Sequence, residues 1–231
     1  MSWLRTLAKS DEEEGALGRH AVLLGSLVLL LVALPLVQIT MGRSAGFSPM
    51  LALVIVAAVF VNSRQRGVFV AAIVLGLAAV AGLGFAEWNE WMGLRIASQL
   101  FGLALLGLTT LVMLNSLIHA DQVSRDTIVG GICVYLLVGL CFAVTFIILS
   151  EVDPSSLAPI PIDDPARRAT KLLYFSFVTL TTLGYGDIVP QSDLAQMFAV
   201  AEAVIGQLYL TIFVARLVGL YLNHKRTEPT I

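Results

Sequence analysis

Six long apolar stretches dominate the chain, at residues 21–40, 47–61, 68–86, 96–118, 127–150 and 194–222. Of the 14 basic and 16 acidic residues in the sequence, only Glu202 and Arg216 fall inside these stretches. The hydrocarbon core of a bilayer is about 30 Å thick, and about 20 apolar residues cross it as a helix. Each stretch should be helical, because backbone groups that face lipid must be hydrogen-bonded within their own segment. The pattern predicts an all-α membrane protein with six transmembrane helices per subunit.

The composition argues against the other broad classes of protein. Apolar residues make up 58% of the chain and charged residues 13%, whereas soluble domains are roughly half apolar and a quarter charged. Two cysteines are too few for a disulfide scaffold, and a formal net charge of −2 offers no basic surface for nucleic acid. No metal-ligand or nucleophile motif lies within an apolar stretch. We therefore expect no enzymatic activity and no nucleic-acid partner.

The distribution of basic residues predicts the orientation of the helices. An even number of spans places both termini on the same side of the membrane. The basic residues that flank the spans on that side are Arg5, Lys9, Arg19, Arg64, Arg66, Lys225 and Arg226. By the positive-inside rule this side is cytoplasmic. We therefore expect a multi-pass protein of the cell membrane (plasma or inner), surrounded by membrane lipids, with both termini in the cytoplasm.

Residues 151–193, between the fifth and sixth stretches, do not have the composition of an ordinary loop. Prolines at positions 154, 159, 161 and 165 oppose regular structure. The apolar segment that follows predicts a short helix that has Thr170 as its N-cap and reaches Thr181. Such a helix of about twelve residues is only about 18 Å long, so it should enter the membrane and turn back. Backbone that is irregular at membrane depth is tolerated only where protein buries it or where it lines a water-filled cavity.

Residues 181–187 read TTLGYGD and directly follow the short helix. They resemble the selectivity filter of the potassium-channel superfamily, and six spans with one pore loop between the fifth and sixth resemble its voltage-gated members. The resemblance implies that rings of oxygens from four chains replace the water that a K⁺ ion sheds. The residues implied to form the filter are Thr182, Leu183, Gly184, Tyr185 and Gly186, of which the first four would bind K⁺. Glycine suits positions 184 and 186 because it adopts positive φ without steric penalty.

The resemblance also implies residues that support the filter. Thr181 precedes it, and Asp187 closes it at the outer mouth. Family members often place an aromatic hydrogen-bond donor where Tyr174 lies, so we expect a bond from Tyr174 to Asp187; the alternative is a ring that only packs. Glu202 lies at filter depth in the sixth stretch, and we expect it to bind pore-helix hydroxyls such as that of Thr179. The alternative is a protonated glutamate bonded to a neighbouring helix.

The sixth stretch predicts an inner helix from Asp193 to Asn223 that lines a cavity below the filter. Gly206 matches the glycine at which the inner helix of the family commonly bends, so it is a candidate gating hinge; close packing against the pore helix is the alternative. The residues expected to line the cavity are Gln207, Leu210, Thr211 and Val214. Arg216 lies near the cytoplasmic end, and we expect its guanidinium to extend toward the membrane interface.

The first four stretches lack the charges of a voltage sensor. Such sensors carry a basic residue at every third position of the fourth span, and each charge that moves through the field contributes about 2.3 kcal/mol per 100 mV. Here Arg95 lies at the edge of the fourth stretch, and residues 96–118 carry no charge. We therefore expect a voltage-insensitive channel. The predicted units are residues 1–19 (N-terminal tail), 20–120 (four-helix voltage-sensor-like domain), 121–126 (linker), 127–226 (pore domain) and 227–231 (C-terminal tail).

One chain supplies one filter loop, so a fourfold ring of carbonyls requires a homotetramer. The expected function is passive, potassium-selective conduction, with K⁺ in the filter and no cofactor. Alternatives are a non-selective cation channel of the same fold, a non-conducting regulatory subunit and a secondary transporter of the potassium-uptake type. The transporter is disfavoured because those chains usually hold four degenerate loops, whereas this chain has one full motif. The sequence identifies neither a gating stimulus nor an auxiliary subunit.

Overall fold

Seven helices and two short strands form the described part of a computed structural model, which covers residues 20–33, 47–62, 66–89, 91–120, 124–160 and 164–227. The helices are α1 (His20–Ala33), α2 (Phe47–Val61), α3 (Arg66–Asn89), α4 (Met92–Ile118), α5 (Arg125–Val152), α6 (Pro165–Leu180) and α7 (Asp193–Thr227). The strands are β1 (Leu157–Ala158) and β2 (Val189–Pro190). Four predicted parts lie wholly or partly outside the described residues: the N-terminal tail (1–19), residues 34–40 of the first stretch, half of the linker (121–123) and residues 228–231 of the C-terminal tail.

A helix occupies each of the six apolar stretches, so the prediction of a mostly helical chain is confirmed for the described residues. Within them, three helices are long and apolar enough to cross a membrane: α4, α5 and the part of α7 that ends at Leu222. The apolar segments of α1, α2 and α3 are shorter, at His20–Ala33, Leu51–Val61 and Arg66–Gly82. The chain is therefore a membrane protein by helix length and composition, and the count of six spans stays a prediction.

Helix α5 lies at the centre of the described part of the chain. It packs against α4, α6 and α7, while α3 packs mainly on α4, and α2 contacts α3, α4 and α6. Half of its most apolar window is buried, compared with 33% for α4 and 11% for α7. Large side chains with almost no exposed surface form the core, among them Leu27, Ile55, Leu105, Leu106, Leu137, Leu140, Phe146 and Leu172. Helix α7 therefore presents most of its apolar surface outward.

Two ion pairs connect the first four helices to α5 at its two ends. His20 Nδ1 lies 2.7 Å from Asp126 Oδ1, which joins the start of α1 to the first turn of α5. Arg95 Nε lies 3.2 Å from Glu151 Oε1, and Gln99 Nε2 donates to the same oxygen at 3.0 Å. These contacts tie α1 and α4 to α5 without placing a charge near the middle of any of these helices.

Arg216 reaches the end of α4, and its expected extension toward the membrane interface stays a prediction. Its guanidinium donates through one Nη to the backbone carbonyls of Ile118 and Ala120, the latter at 3.0 Å. Ile118 is the last residue of α4, and Ala120 lies two residues beyond it. The last turn of a helix leaves acceptors without intrahelical donors and carries partial negative charge. Arg216 therefore connects α7 to the end of α4, which provides the positive charge with acceptors inside the protein.

The helix before residues 181–187 is short, as predicted, but it begins earlier. The Asp164 side chain caps it by accepting from the Arg167 amide at 3.1 Å, and Pro165 occupies the first turn. Proline is favoured there because its missing N–H is not needed in a first turn. The prediction of Thr170 as N-cap is wrong, because Thr170 lies inside α6 and its hydroxyl donates to Ala166 O at 2.9 Å. The 16 residues of α6 span about 24 Å, still less than a bilayer core.

The segment after residues 181–187 is fastened to the segment before α6. Strands β1 and β2 pair antiparallel, with Leu157 opposite Pro190 and Ala158 opposite Val189. The amides of Gln191 and Ser192 both donate to Ser156 O, at 2.8 and 3.3 Å. This short ladder fixes both ends of the excursion between α5 and α7, and it thereby sets where residues 181–187 lie relative to α6.

Candidate functional site

The backbone of residues 181–187, here called the filter segment, alternates in handedness. Thr182, Gly184 and Gly186 have φ angles of 58°, 58° and 75°, and they are the described residues with positive φ. In a β-strand, successive carbonyl groups point to opposite sides of the chain. When every second residue has positive φ, successive carbonyl groups point to the same side instead. The expectation of positive φ at both glycines is confirmed. The segment can therefore present a row of oxygens on one side.

Thr182 was not expected to adopt this conformation. Positive φ in a β-branched residue is a genuine outlier, and such a backbone costs on the order of 1–3 kcal/mol. Three hydrogen bonds hold Thr182 in place: its amide donates to Thr179 O at 2.9 Å, its hydroxyl donates to Thr181 O at 2.7 Å, and that hydroxyl accepts from Gln207 Nε2 at 3.4 Å. Tertiary contacts from α6 and α7 thus stabilise a strained residue at the inner end of the segment.

The end of α6 receives the amide groups of the filter segment. Leu183 N and Gly184 N both donate to Val178 O, at 2.9 and 3.2 Å. Thr181 donates to Phe177 O through its amide at 3.1 Å and through its hydroxyl at 2.7 Å. Because these amides point toward α6, the carbonyls of residues 182–185 are left for another partner. Every residue of the segment is exposed in the single chain, including Leu183 (55%) and Tyr185 (66%).

Tyr174 and Asp187 lie close enough to interact, and the supporting role expected for this pair stays a prediction. The partly buried ring of Tyr174 lies on α6, and its hydroxyl is hydrogen-bonded to the Asp187 side chain. Partial burial, followed by this bond and the negative charge of Asp187, raises the pKa of the Tyr174 hydroxyl above its ordinary value. Lys171 Nζ lies 5.7 Å from the centre of the same ring. The contact links α6 to the last residue of the filter segment, and its importance for conduction stays a prediction.

Glu202 contacts a hydroxyl of α6, but the residue is Ser176 and not Thr179. Both side chains have no exposed surface. Ser176 Oγ lies within hydrogen-bonding distance of Glu202 Oε1 and 2.7 Å from Gly139 O on α5. Thr179 lies one turn further along the same helix, and sequence spacing alone does not determine which of the two turns α7 crosses. The polar residue Ser176 within an apolar helix is the signal that could have identified it.

Gly206 lies at the closest approach between α7 and α6. A Cβ atom there would lie 2.5 Å from Leu180 O and 2.9 Å from Leu180 Cδ1. Tyr135 on α5 also donates its hydroxyl to Leu180 O, at 3.4 Å. This geometry fits close packing against the pore helix, because only a residue without Cβ allows the contact. The role of Gly206 as a gating hinge stays a prediction.

An aromatic cluster that the sequence analysis missed docks α7 on α5. Tyr209 stacks between Tyr135 and Phe213, with ring centroids 6.0 and 5.6 Å apart. The Tyr209 hydroxyl donates to Gly131 O at 2.7 Å, and the ring of Phe213 occupies the space where Gly131 lacks a side chain. The spacing of Tyr209 and Phe213, one helical turn apart, is the signal that could have located this face of α7.

The predicted cavity residues lie on the uncovered face of α7. They are all exposed in the single chain: Gln207, Leu210, Thr211 and Val214. Gln207 reaches the Thr182 hydroxyl, which places the first of them at the inner end of the filter segment. In the described part of the chain, no group of three or more His, Cys, Asp or Glu side chains could hold a metal ion.

Comparison with known proteins identifies the region that contains this site. Residues 134–223 match the family described as "Ion channel". The chain is 38% identical over 60 residues to "Two pore potassium channel a" of Oryza sativa subsp. japonica, covering 26% of this chain and 17% of that protein. It is 32% identical over 99 residues to "Two pore potassium channel c" of the same species, covering 43% of this chain and 21% of that protein.

A voltage-gated delayed rectifier potassium channel of Homo sapiens is 50% identical over 42 residues, or 18% of this chain and 4% of that protein. The chain thus spans about a fifth or less of the length of these curated relatives. No solved structure matches the chain significantly. The similarities place an ion-channel match at residues 134–223 and support the expected resemblance to the potassium-channel superfamily.

Proposed function

We propose that the chain is a subunit of a potassium-selective channel that conducts K⁺ passively, as a homotetramer in the cell membrane. The observation that carries this proposal is the alternating handedness of Thr182, Gly184 and Gly186, in an exposed segment held from behind by α6. Carbonyl oxygens of Thr182, Leu183, Gly184 and Tyr185, together with the Thr182 hydroxyl, form the proposed K⁺ sites. Stacked rings of such oxygens replace the hydration shell of K⁺.

The exposed surfaces of the single chain support assembly around an axis. Backbone that is irregular and exposed is not tolerated against lipid, so the filter segment requires a water-filled cavity or further protein. The apolar window of α7 is only 11% buried, compared with 50% for α5. Its exposed large side chains include Leu194, Met197, Val200, Val204, Leu208, Ile212 and Val218. Identical copies that surround one axis would cover much of this face and would bring four filter segments together.

The remaining residues fit roles around such a pore. Thr181, Asp187, Tyr174 and Glu202 support the filter segment from α6 and α7. The cavity below it is lined by Gln207, Leu210, Thr211 and Val214, and Gly206 is a candidate hinge above that stretch. The proposed units are a four-helix domain at 20–120, a linker at 121–126 and a pore domain at 127–226, with α6 as the pore helix. Both termini are proposed to be cytoplasmic.

The first four helices do not supply an S4-type voltage sensor in this proposal. Residues 96–118 within α4 carry no charged side chain. Opening that is driven by voltage requires charges that move through the field, because each contributes about 2.3 kcal/mol per 100 mV. Conduction is therefore proposed to be independent of such a sensor.

Ion flux through purified protein in liposomes tests the proposal, with Gly184→Ala as the diagnostic variant. A side chain at φ 58° is strained by about 1–2 kcal/mol, so the variant should lose K⁺ flux or lose preference for K⁺ over Na⁺. Gly219→Ala is the matched control, because a Cβ there meets nothing within 4 Å. It should conduct like the wild type.

Wild-type protein should pass K⁺ in strong preference to Na⁺. Equal passage of both ions would overturn the proposal in favour of a non-selective cation channel. Absence of any flux from correctly assembled protein would favour a non-conducting regulatory subunit.

A further inference from the structure

Glu202 is the point at which three helices are joined by polar groups. It lies on α7 and has no exposed surface. The Oε1 atom of Glu202 lies within hydrogen-bonding distance of Ser176 Oγ on α6. The same Ser176 Oγ lies 2.7 Å from Gly139 O on α5. The three groups form a chain of two short contacts that runs across the interior behind the filter segment.

The number of available protons determines the direction of these bonds. A serine hydroxyl carries one proton, and a backbone carbonyl can only accept. The short contact between Ser176 Oγ and Gly139 O therefore uses the serine proton. The second short contact, between Ser176 Oγ and Glu202 Oε1, needs its own proton, because two acceptor oxygens without a proton between them repel each other. The protonated carboxyl group of Glu202 is the group that can supply it.

The surroundings of Glu202 also disfavour a carboxylate. Its Oε2 has no hydrogen-bond partner among the described residues, and an ionised oxygen that is buried without a partner is costly. Neither ion pair in the described part of the chain involves Glu202. The titratable side chain that interacts with it electrostatically is Tyr135 of α5, whose hydroxyl already donates to Leu180 O. Ser176 is its polar partner from α6.

We propose that Glu202 is a neutral acid that donates to Ser176 while Ser176 donates to Gly139, and that this relay positions α6 behind the filter segment. Glu202 is thus a positioning residue that acts through Ser176 and does not touch the ion. Its state of protonation is independent of the proposed function; only its effect on ion flux rests on the proposed function.

Infrared difference spectroscopy of the full-length protein in lipid tests the protonation directly. The wild type minus Glu202→Gln spectrum near neutral pH should contain the C=O stretch of a protonated carboxylic acid, shifted to lower frequency in D₂O. Glu151→Gln is the matched control, because Glu151 is also buried but pairs with Arg95, so it should remove carboxylate bands instead. Loss of carboxylate bands in Glu202→Gln would overturn the proposal.

Rescue by glutamine tests the positioning role. The amide of Glu202→Gln can still donate to Ser176, so its K⁺ flux and its preference for K⁺ should stay within about twofold of wild type. Glu202→Leu and Ser176→Ala interrupt the relay, and each should lower the K⁺-to-Na⁺ flux ratio by about fivefold or more, as expected for a lost buried hydrogen bond.

If Glu202→Gln lowers the K⁺-to-Na⁺ flux ratio as much as Glu202→Leu does, the proposal that residue 202 acts by donating a proton to Ser176 is overturned. If the leucine variant does not assemble, the comparison between Glu202→Gln and Ser176→Ala decides the same point. A wild-type protein that passes no ions would refute the proposed function, and the infrared result would still decide whether Glu202 is protonated.

Discussion

Alanine at position 206 tests how α7 is held against the end of α6. The added Cβ would lie 2.5 Å from Leu180 O, a backbone atom, whereas an ordinary contact begins at 3.4 Å. The two helices would therefore have to separate by about 0.9 Å at this point, because neither a backbone oxygen nor a Cβ can rotate away. Leu180 is the last residue of α6, so the displacement acts directly at the base of the filter segment.

The expected cost follows from this geometry. Adding one methyl group to a well-packed contact costs about 1–3 kcal/mol. That range corresponds to a reduction of about 5- to 150-fold in the population with α7 correctly docked. A gating hinge predicts the opposite sign for stability, because alanine favours a helix over glycine by about 1 kcal/mol. Close packing therefore predicts that Gly206→Ala lowers the stability of the protein, whereas a gating hinge predicts that it raises the stability.

Thermal unfolding of the detergent-solubilised oligomer and K⁺ flux in liposomes together measure both effects. Gly206→Ala should lower the Tm of the assembly and reduce K⁺ flux. Gly219→Ala, in the same helix and without a neighbour within 4 Å, should leave Tm unchanged or raise it slightly. A Gly206→Ala protein with raised Tm and slower opening would refute close packing as the reason for glycine and would favour the hinge.

Three further predictions concern other parts of the chain. Tyr174→Phe removes the bond to Asp187 and should accelerate inactivation of K⁺ currents in patches from proteoliposomes; unchanged inactivation would make the bond unimportant. Arg216→Met removes both bonds to the end of α4 and should lower Tm, since bonds from a charged donor contribute about 1.5–3 kcal/mol each; an unchanged Tm would contradict it. Conductance should vary little between strongly negative and positive voltages, because residues 96–118 carry no charge; a steep voltage dependence from charge movement would disprove this.

The helices and the glycine conformations could be predicted from the sequence because local chemistry determines them. Apolar stretches with almost no charge must be helical in lipid, and a helix lies in each of them. Positive φ at positions 184 and 186 follows from glycine itself. The resemblance of residues 181–187 to a known filter also located the region that matches the ion-channel family.

Contacts between helices could not be predicted, because they depend on how the helices cross. The partner of Glu202 is Ser176 and not Thr179, a difference of one turn on α6. The N-cap of α6 is Asp164, because the following proline starts the helix before the apolar segment begins. Thr182 adopts positive φ and is held by hydrogen bonds to Thr179, Thr181 and Gln207. Thr179 and Gln207 are not adjacent to Thr182 in the sequence. The Ser176–Glu202 contact and the Gln207–Thr182 bond are set by tertiary structure, whereas the Asp164 cap is local and could have been predicted from the Asp164-Pro165 pair.

The most direct measurement is a structure of the full-length protein in lipid nanodiscs with K⁺ present, compared with one in Na⁺ alone. The account predicts four copies around one axis, with K⁺ density between the oxygens of Thr182, Leu183, Gly184 and Tyr185 and a different occupancy in Na⁺. A monomer or dimer, or filter segments that face lipid without ion density, would contradict it.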